Sequence, residues 1–150
     1  VASRQKAEVL SHPQYNIHRA TFSPDGRWLA FHVPLEGVRS RVYVTAFRPG
    51  APPPESEWIP VTGEAGSDAH PWWSPDGSLL YFVSERDGFS CIWTQRLDPA
   101  TRRPAGAPAE FHHFHGARQM LNRAIMGPGI SRDKLVFTLL ELTGNVWLAR

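Results

Sequence analysis

The sequence predicts an all-β chain of repeated four-stranded antiparallel units, and three observations predict it. The 150 residues hold 14 Pro and 12 Gly and few helix-forming stretches, so the chain turns often and its regular segments are short. One pattern recurs: Thr21-Phe22-Ser23-Pro24-Asp25-Gly26-Arg27-Trp28-Leu29-Ala30-Phe31 is echoed by Trp72-Trp73-Ser74-Pro75-Asp76-Gly77-Ser78-Leu79-Leu80-Tyr81-Phe82. A shortened third copy runs Ile130-Ser131-Arg132-Asp133-Lys134-Leu135-Val136-Phe137. Each copy is followed by a second β-branched and aromatic run, Val42-Tyr43-Val44, Ile92-Trp93-Thr94 and Val146-Trp147-Leu148.

The elements follow in order. Ser-Pro-Asp-Gly is a tight reversal, because Pro fixes φ at the second position, Asp suits the third and Gly accepts the left-handed conformation after it. It therefore joins an aromatic-ended strand to an alternating apolar one, predicted at Trp28 to Val33 and at Leu79 to Ser84. In the third copy Pro and Gly are missing and the loop is two residues shorter, so another turn must lead into a strand at Leu135 to Leu139. The next aromatic follows the strand-ending Phe by twelve, eleven and ten residues in the three copies, as expected when only the loop between them varies. A fourth strand closes the first two units, around Trp58 to Val61 and Glu110 to Phe114, after the Pro-rich connections Pro49 to Pro54 and Asp98 to Pro108. Glu8-Val9-Leu10 reads as another outer strand, at 7–11.

Composition bounds the class. At 41% apolar and 20% charged, with six Trp and eight Phe, the chain has the make-up of one packed domain. A net charge of +2 with Arg scattered among acidic residues gives no basic stripe, which excludes a nucleic-acid footprint. The single cysteine, Cys91, excludes an internal disulfide and any multi-cysteine zinc site, and its apolar neighbours predict a buried, inert thiol. No apolar run reaches the roughly 18 residues of a spanning helix, so no membrane insertion is expected. The start at Val1 without Met suggests a processed or excised piece.

Four-stranded antiparallel units spaced by about fifty residues are the pattern of β-propeller blades, each of which needs neighbours to cover its faces. The units fall at approximately 17–62, 68–115 and 121–150. The motif Phe-Ser-Pro-Asp-Gly-x-x-Leu-Ala-Phe, followed by Gly and a Val-Tyr or Ile-Trp strand, resembles the TolB-type, WD40-like propeller repeat, over nearly the whole chain. The third copy departs from the pattern at Arg132-Asp133.

Propellers close with about four to eight blades, so three blades leave sheet faces open. The chain is then either part of a larger propeller or half of a six-bladed ring, in which two copies exchange the 7–11 strand as a C2 homodimer.

The candidate site residues come from the same frame. His18 and His70 precede the inner strands of the first two units. With Arg19, Asp68, Asn122 and Arg123 they are expected at the mouth of a central channel, to bind a ligand or partner. In His112-His113-Phe114-His115, strand alternation places His113 and His115 on one face with His112 opposite. That pair is the one metal candidate, and with Glu110 as the only nearby carboxylate in sequence it falls short of a ligand set. No metal and no cofactor are therefore expected.

Ser23, Ser74 and Ser131 belong to repeat turns, none lies in Gly-x-Ser-x-Gly, and Asp25, Asp76 and Asp133 are explained by turn hydrogen bonds. Gly127 and Gly129 flank Pro128 and open no helix, which removes a phosphate cradle. Phe31, Phe82, Phe137, Tyr43, Trp93 and Trp147 recur at the repeat period and are expected in the core between blades.

No catalytic residue is predicted. The resemblance implies a non-catalytic module that binds a protein or peptide partner or senses a ligand, at the C-terminal end of a larger bacterial protein, in the periplasm or otherwise outside the cytoplasm. Two alternatives remain open: the propeller portion of a prolyl-oligopeptidase-like peptidase, and a metal-dependent propeller lyase.

Overall fold

A computed structural model describes residues 6–64, 66–116, 119–121, 129–131, 133–141 and 143–144. Among them the regular structure is β, with one 3-10 turn at Glu55–Glu57 and no α-helix. Strands β1 (His18–Phe22), β2 (Trp28–Pro34), β3 (Ser40–Ala46) and β4 (Ile59–Pro60) form one antiparallel sheet in chain order. Strands β5 (Asp68–Trp73), β6 (Leu79–Ser84), β7 (Cys91–Arg96) and β8 (Ala109–His112) form a second sheet of the same topology.

The repeated turn folds as its chemistry requires. The Ser23 hydroxyl donates to Asp25 Oδ1 at 2.5 Å and accepts from the Trp28 N–H at 3.0 Å, while Gly26 takes φ 67°. Ser74 repeats both bonds, to Asp76 at 2.6 Å and from Leu79 at 2.9 Å, with Gly77 at φ 70°. The third copy keeps this wiring in less chain. Ser131 donates to Asp133 at 3.2 Å and accepts from the Lys134 N–H at 3.1 Å, and the Ser131 N–H closes on the Lys134 carbonyl at 2.9 Å. The Ser and Asp side chains, which both longer turns share, suffice once the loop loses Pro and Gly.

This shorter turn joins β10 (Gly129–Ile130) to β11 (Leu135–Val136). Beyond them β9 (Gln119–Leu121) pairs antiparallel with β12 (Leu139–Glu141). The strand expected at Leu135 to Leu139 is thus two short pieces interrupted at Phe137 and Thr138. The run Val146-Trp147-Leu148 lies outside the described residues.

Alternation along each strand sorts the core into layers. Ala30, Val42 and Val44 of the first sheet pack against Trp73, Leu80, Phe82, Cys91 and Trp93 of the second. The other face of the second sheet, with Trp72, Val83 and Ile92, meets Leu121, Ile130, Leu135 and Phe137. The outer face of the first sheet carries Phe31, Val33 and Trp58. Each motif Phe therefore faces the unit before it: Phe82 the first sheet, Phe137 the second, and Phe31 the N-terminal segment. Phe31 lies directly opposite Tyr43, and Phe82 opposite Trp93, so each blocks out one aromatic cross-strand pair. Phe31 and Phe82 are fully buried, worth roughly 1.5–3 kcal/mol each in area removed from water.

The N-terminal segment departs from the sequence expectation. Residues 6–17 form no strand, and the outer strand read at 7–11 is absent. Leu10 and Ile17 instead pack on the Phe31 cluster, and the His12 ring stacks on Tyr15 at 4.5 Å and reaches Glu55 at 3.0 Å. Covering the open apolar face of the chain's own first sheet outweighs the local β-propensity of Glu8-Val9-Leu10.

Arg102 fastens the two sheets. Buried and at φ 57°, it donates to the Gly77 carbonyl at 2.8 Å, and its guanidinium stands 5.8 Å from the rings of both Trp28 and Trp73. Among the described residues no helix is long and apolar enough to cross a membrane.

Candidate functional site

Two polar constellations emerge from this frame. The first lies at the edge strands β1 and β5. The bulges of β1 and β5 fall between His18 and Thr21 and between Ala69 and Trp72. Inside them Arg19 and His70 both take φ 54°. The two residues are 51 positions apart, the same offset as Ser23 and Ser74, so the left-handed backbone recurs with the repeat. For a residue with a Cβ this conformation costs about 1–2 kcal/mol, and the surrounding ladder must hold it.

The bulges set three imidazoles in a row across the sheets. The His18 ring is 5.5 Å from His32, the His32 ring is 5.4 Å from His70, and the backbone N–H of His70 donates to His32 Nδ1 at 3.4 Å. The structure thus joins His18 and His70 through His32, a residue not among the sequence candidates. His18 and Arg19 are exposed.

Asp68 is already engaged with partners of its own. Its side chain is 3% exposed and ion-paired with Arg86 at 3.1 Å, and the Arg86 guanidinium lies over Trp93 at 4.7 Å and Phe82 at 5.3 Å. Its backbone carbonyl accepts from the Ser40 hydroxyl at 2.8 Å. Asp68 thus anchors the junction between sheets. Asn122 and Arg123 lie outside the described residues.

The second constellation forms at the opposite edge of the second sheet, where the chain leaves β8 beside the turn between β6 and β7. His113 and His115 do meet, with His113 Nδ1 2.9 Å from His115 Nε2. His112 turns away, to Phe114 and Phe137. Two residues from elsewhere in the sequence complete the group. Asp87 Oδ2 lies 2.9 Å from His113 Nδ1 and 3.0 Å from His115 Nε2. Cys91 opens β7, and its Sγ lies with the other three ligand atoms inside a span of 4.8 Å.

Each member is held in place. The Phe89 N–H donates to Asp87 Oδ1 at 3.2 Å, which leaves Oδ2 for the histidines. The Phe114 N–H points at Cys91 Sγ, 3.4 Å away. Glu110 Oε2 stands 3.1 Å from His113 Nε2, and the Phe89 ring lies over His115 at 4.4 Å. Burial pushes the Cys91 thiol up, against the Phe114 amide. Burial also works to raise Asp87, but the bonds from His115 and the Phe89 amide outweigh it and hold its carboxyl below the ordinary range.

Cys91 had no signal in the sequence, because the ladder that brings it to the histidines shifts register between Ile92 and Trp93. Ile92 pairs with His112, so the antiparallel count places residue 91 beside residue 113. Asp87 had none either, because it sits in a turn.

Compared with known proteins, the chain matches no family model and no curated protein sequence.

Proposed function

We propose that the chain is a run of TolB-type propeller blades that acts as a non-catalytic binding module for a protein or peptide. The observation that supports this reading most is the recurrence of a left-handed, non-glycine residue at the same repeat position, Arg19 and His70, beside an exposed His18. Backbone strain of this kind is concentrated at binding and switch sites. Two sheets with the same strand order, the same turn wiring and the same facing of the motif Phe are what adjoining blades require. In that reading the row His18, His32 and His70 borders the channel mouth. Imidazole and guanidinium donors there suit backbone carbonyls and carboxylates of a peptide.

Panning a displayed peptide library against the purified chain tests this. Binders should be enriched, and their affinity should fall at least tenfold in His18→Ala and Arg19→Ala but not in Arg103→Ala, with melting temperatures near wild type. Failure to enrich any peptide, or binders indifferent to both substitutions, would overturn the reading.

A further inference from the structure

We propose that Asp87, Cys91, His113 and His115 form a zinc site that clamps the end of β8 to the turn between β6 and β7.

The hydrogens available do not match the contacts made. His113 Nδ1, His115 Nε2 and Asp87 Oδ2 lie within 2.9 to 3.0 Å of one another. Three such contacts would need three hydrogens, each aimed along one edge of the triangle. The two ring nitrogens carry at most one hydrogen each, and a ring N–H points in only one direction. If both donate to Asp87, two N–H groups face each other across 2.9 Å. If one donates to the other nitrogen, Asp87 loses a partner. A single cation at the centre satisfies all three lone pairs at once.

The donor set suits zinc. One thiolate, two imidazoles and one carboxylate are ligands that zinc accepts, at about 2.3 Å to sulfur and about 2.0–2.2 Å to nitrogen and oxygen. Bonds of that length in a tetrahedron set ligand atoms about 3.4 Å apart, so the triangle needs to open by only about half an ångström. The sulfur disfavours magnesium and calcium, which take oxygen ligands.

Further groups stand behind the ligands. With Nδ1 of His113 on the metal, Nε2 carries the hydrogen, and Glu110 Oε2 is 3.1 Å from it. The oxygen lies off the line of a ring N–H and is not hydrogen-bonded there, so a turn of the Glu110 side chain would complete the carboxylate support that metal-binding histidines ordinarily have. The Phe114 N–H faces Cys91 Sγ, where it would stabilise a thiolate. The buried thiol, inert by itself, is deprotonated on coordination.

Four protein ligands fill a tetrahedron, which makes the site structural, with no position left for a substrate. The β8 strand is exposed along its length and short, and a zinc clamp would hold its end to the sheet.

The test uses the whole chain after treatment with a chelator. Titration calorimetry should show one zinc per chain, and cobalt should give the visible bands of a tetrahedral site together with a thiolate charge-transfer band. Cys91→Ser should remove that band; because Cys91 is fully buried, His115→Ala, whose side chain is 49% exposed, serves as the variant that spares the fold. His115→Ala should weaken zinc more than tenfold, Glu110→Gln by about 10–100-fold, and His12→Ala not at all. Absence of one-to-one binding, a cobalt spectrum without the thiolate band, or wild-type affinity in both His115→Ala and Asp87→Asn would overturn the proposal.

Discussion

Replacement of Arg102 separates the contribution of a side chain from that of its backbone. The guanidinium donates one charge-assisted hydrogen bond, to the Gly77 carbonyl at 2.8 Å, and lies between Trp28 and Trp73. A hydrogen bond from a charged group contributes about 1.5–3 kcal/mol, and each ring contact about 0.5–1 kcal/mol. The 3.7 Å approach to the partly exposed Asp25 adds little. Ordering a long side chain opposes these gains by about 1.5–2 kcal/mol. Arg102→Ala should therefore destabilise the chain by about 2 kcal/mol. Arg102→Gly loses the same contacts, but at φ 57° glycine escapes the left-handed penalty of about 1–2 kcal/mol that alanine keeps. Against that stands a greater loss of chain entropy, about 0.5–1 kcal/mol. The glycine variant should thus be the more stable of the two by several tenths of a kcal/mol, the reverse of the order found in an ordinary strand. Equilibrium unfolding in urea, followed by the fluorescence of the flanking tryptophans, measures both differences. An alanine variant within about 0.5 kcal/mol of wild type, or a glycine variant less stable than the alanine one, would refute the argument.

Other outcomes follow from the same geometry. Phe82→Ala empties the layer between the two sheets and should cost about 3–5 kcal/mol, measured by the same unfolding curve, whereas Phe22→Ala, with its ring half exposed, should cost well under that. Asp25 and Asp76 are held below the ordinary carboxylate value of 3.8, each mainly by its turn serine and next by the backbone N–H two residues on. Because their folded values are depressed, the stability they add is fully present above 3.8 and is lost as pH falls below it. Melting temperature should therefore drop through that acid window, and Asp76→Asn should flatten the drop; an unchanged acid limb would exclude the turn carboxylates as its source. Arg19→Gly relieves the left-handed strain in the β1 bulge and should leave melting temperature equal to or above wild type while removing the side chain that the binding reading needs; a marked fall in melting temperature would show that Arg19 serves the fold.

Much of the sheet architecture was legible because it is encoded locally. Ser23 to Gly26 and Ser74 to Gly77 carry the complete chemistry of their turns. A known turn then fixes the pairing beside it: Phe22 faces Leu29 and Thr21 faces Ala30, a count that would set residue 18 opposite residue 33, but the bulge between His18 and Thr21 shifts it by one, to His32. His32 was thus hidden from the hairpin arithmetic by a bulge that the sequence does not announce. The N-terminal segment was misread for the opposite reason. Glu8-Val9-Leu10 has strand-like composition, but its position is decided by an apolar face more than twenty residues away, at Phe31, Val33 and Trp58.

The zinc ligands show where such reading stops. His113 and His115 are two residues apart in sequence and were visible as a pair, yet two histidines hold a cation weakly. What turns a pair into a tetrahedron is the return of the chain through β8. That strand sets the segment after it against the first residue of β7, which brings a buried thiol beside an imidazole. The turn before β7 then bends Asp87 back across both rings, fixed by its own bond to the Phe89 amide. A cysteine that is inert among apolar neighbours and an aspartate that looks like turn punctuation acquire chemistry only from this crossing of two loops. If zinc binding is lost in Asp87→Asn with the fold intact, the four-strand register, and not the histidine-rich run, is what builds the site.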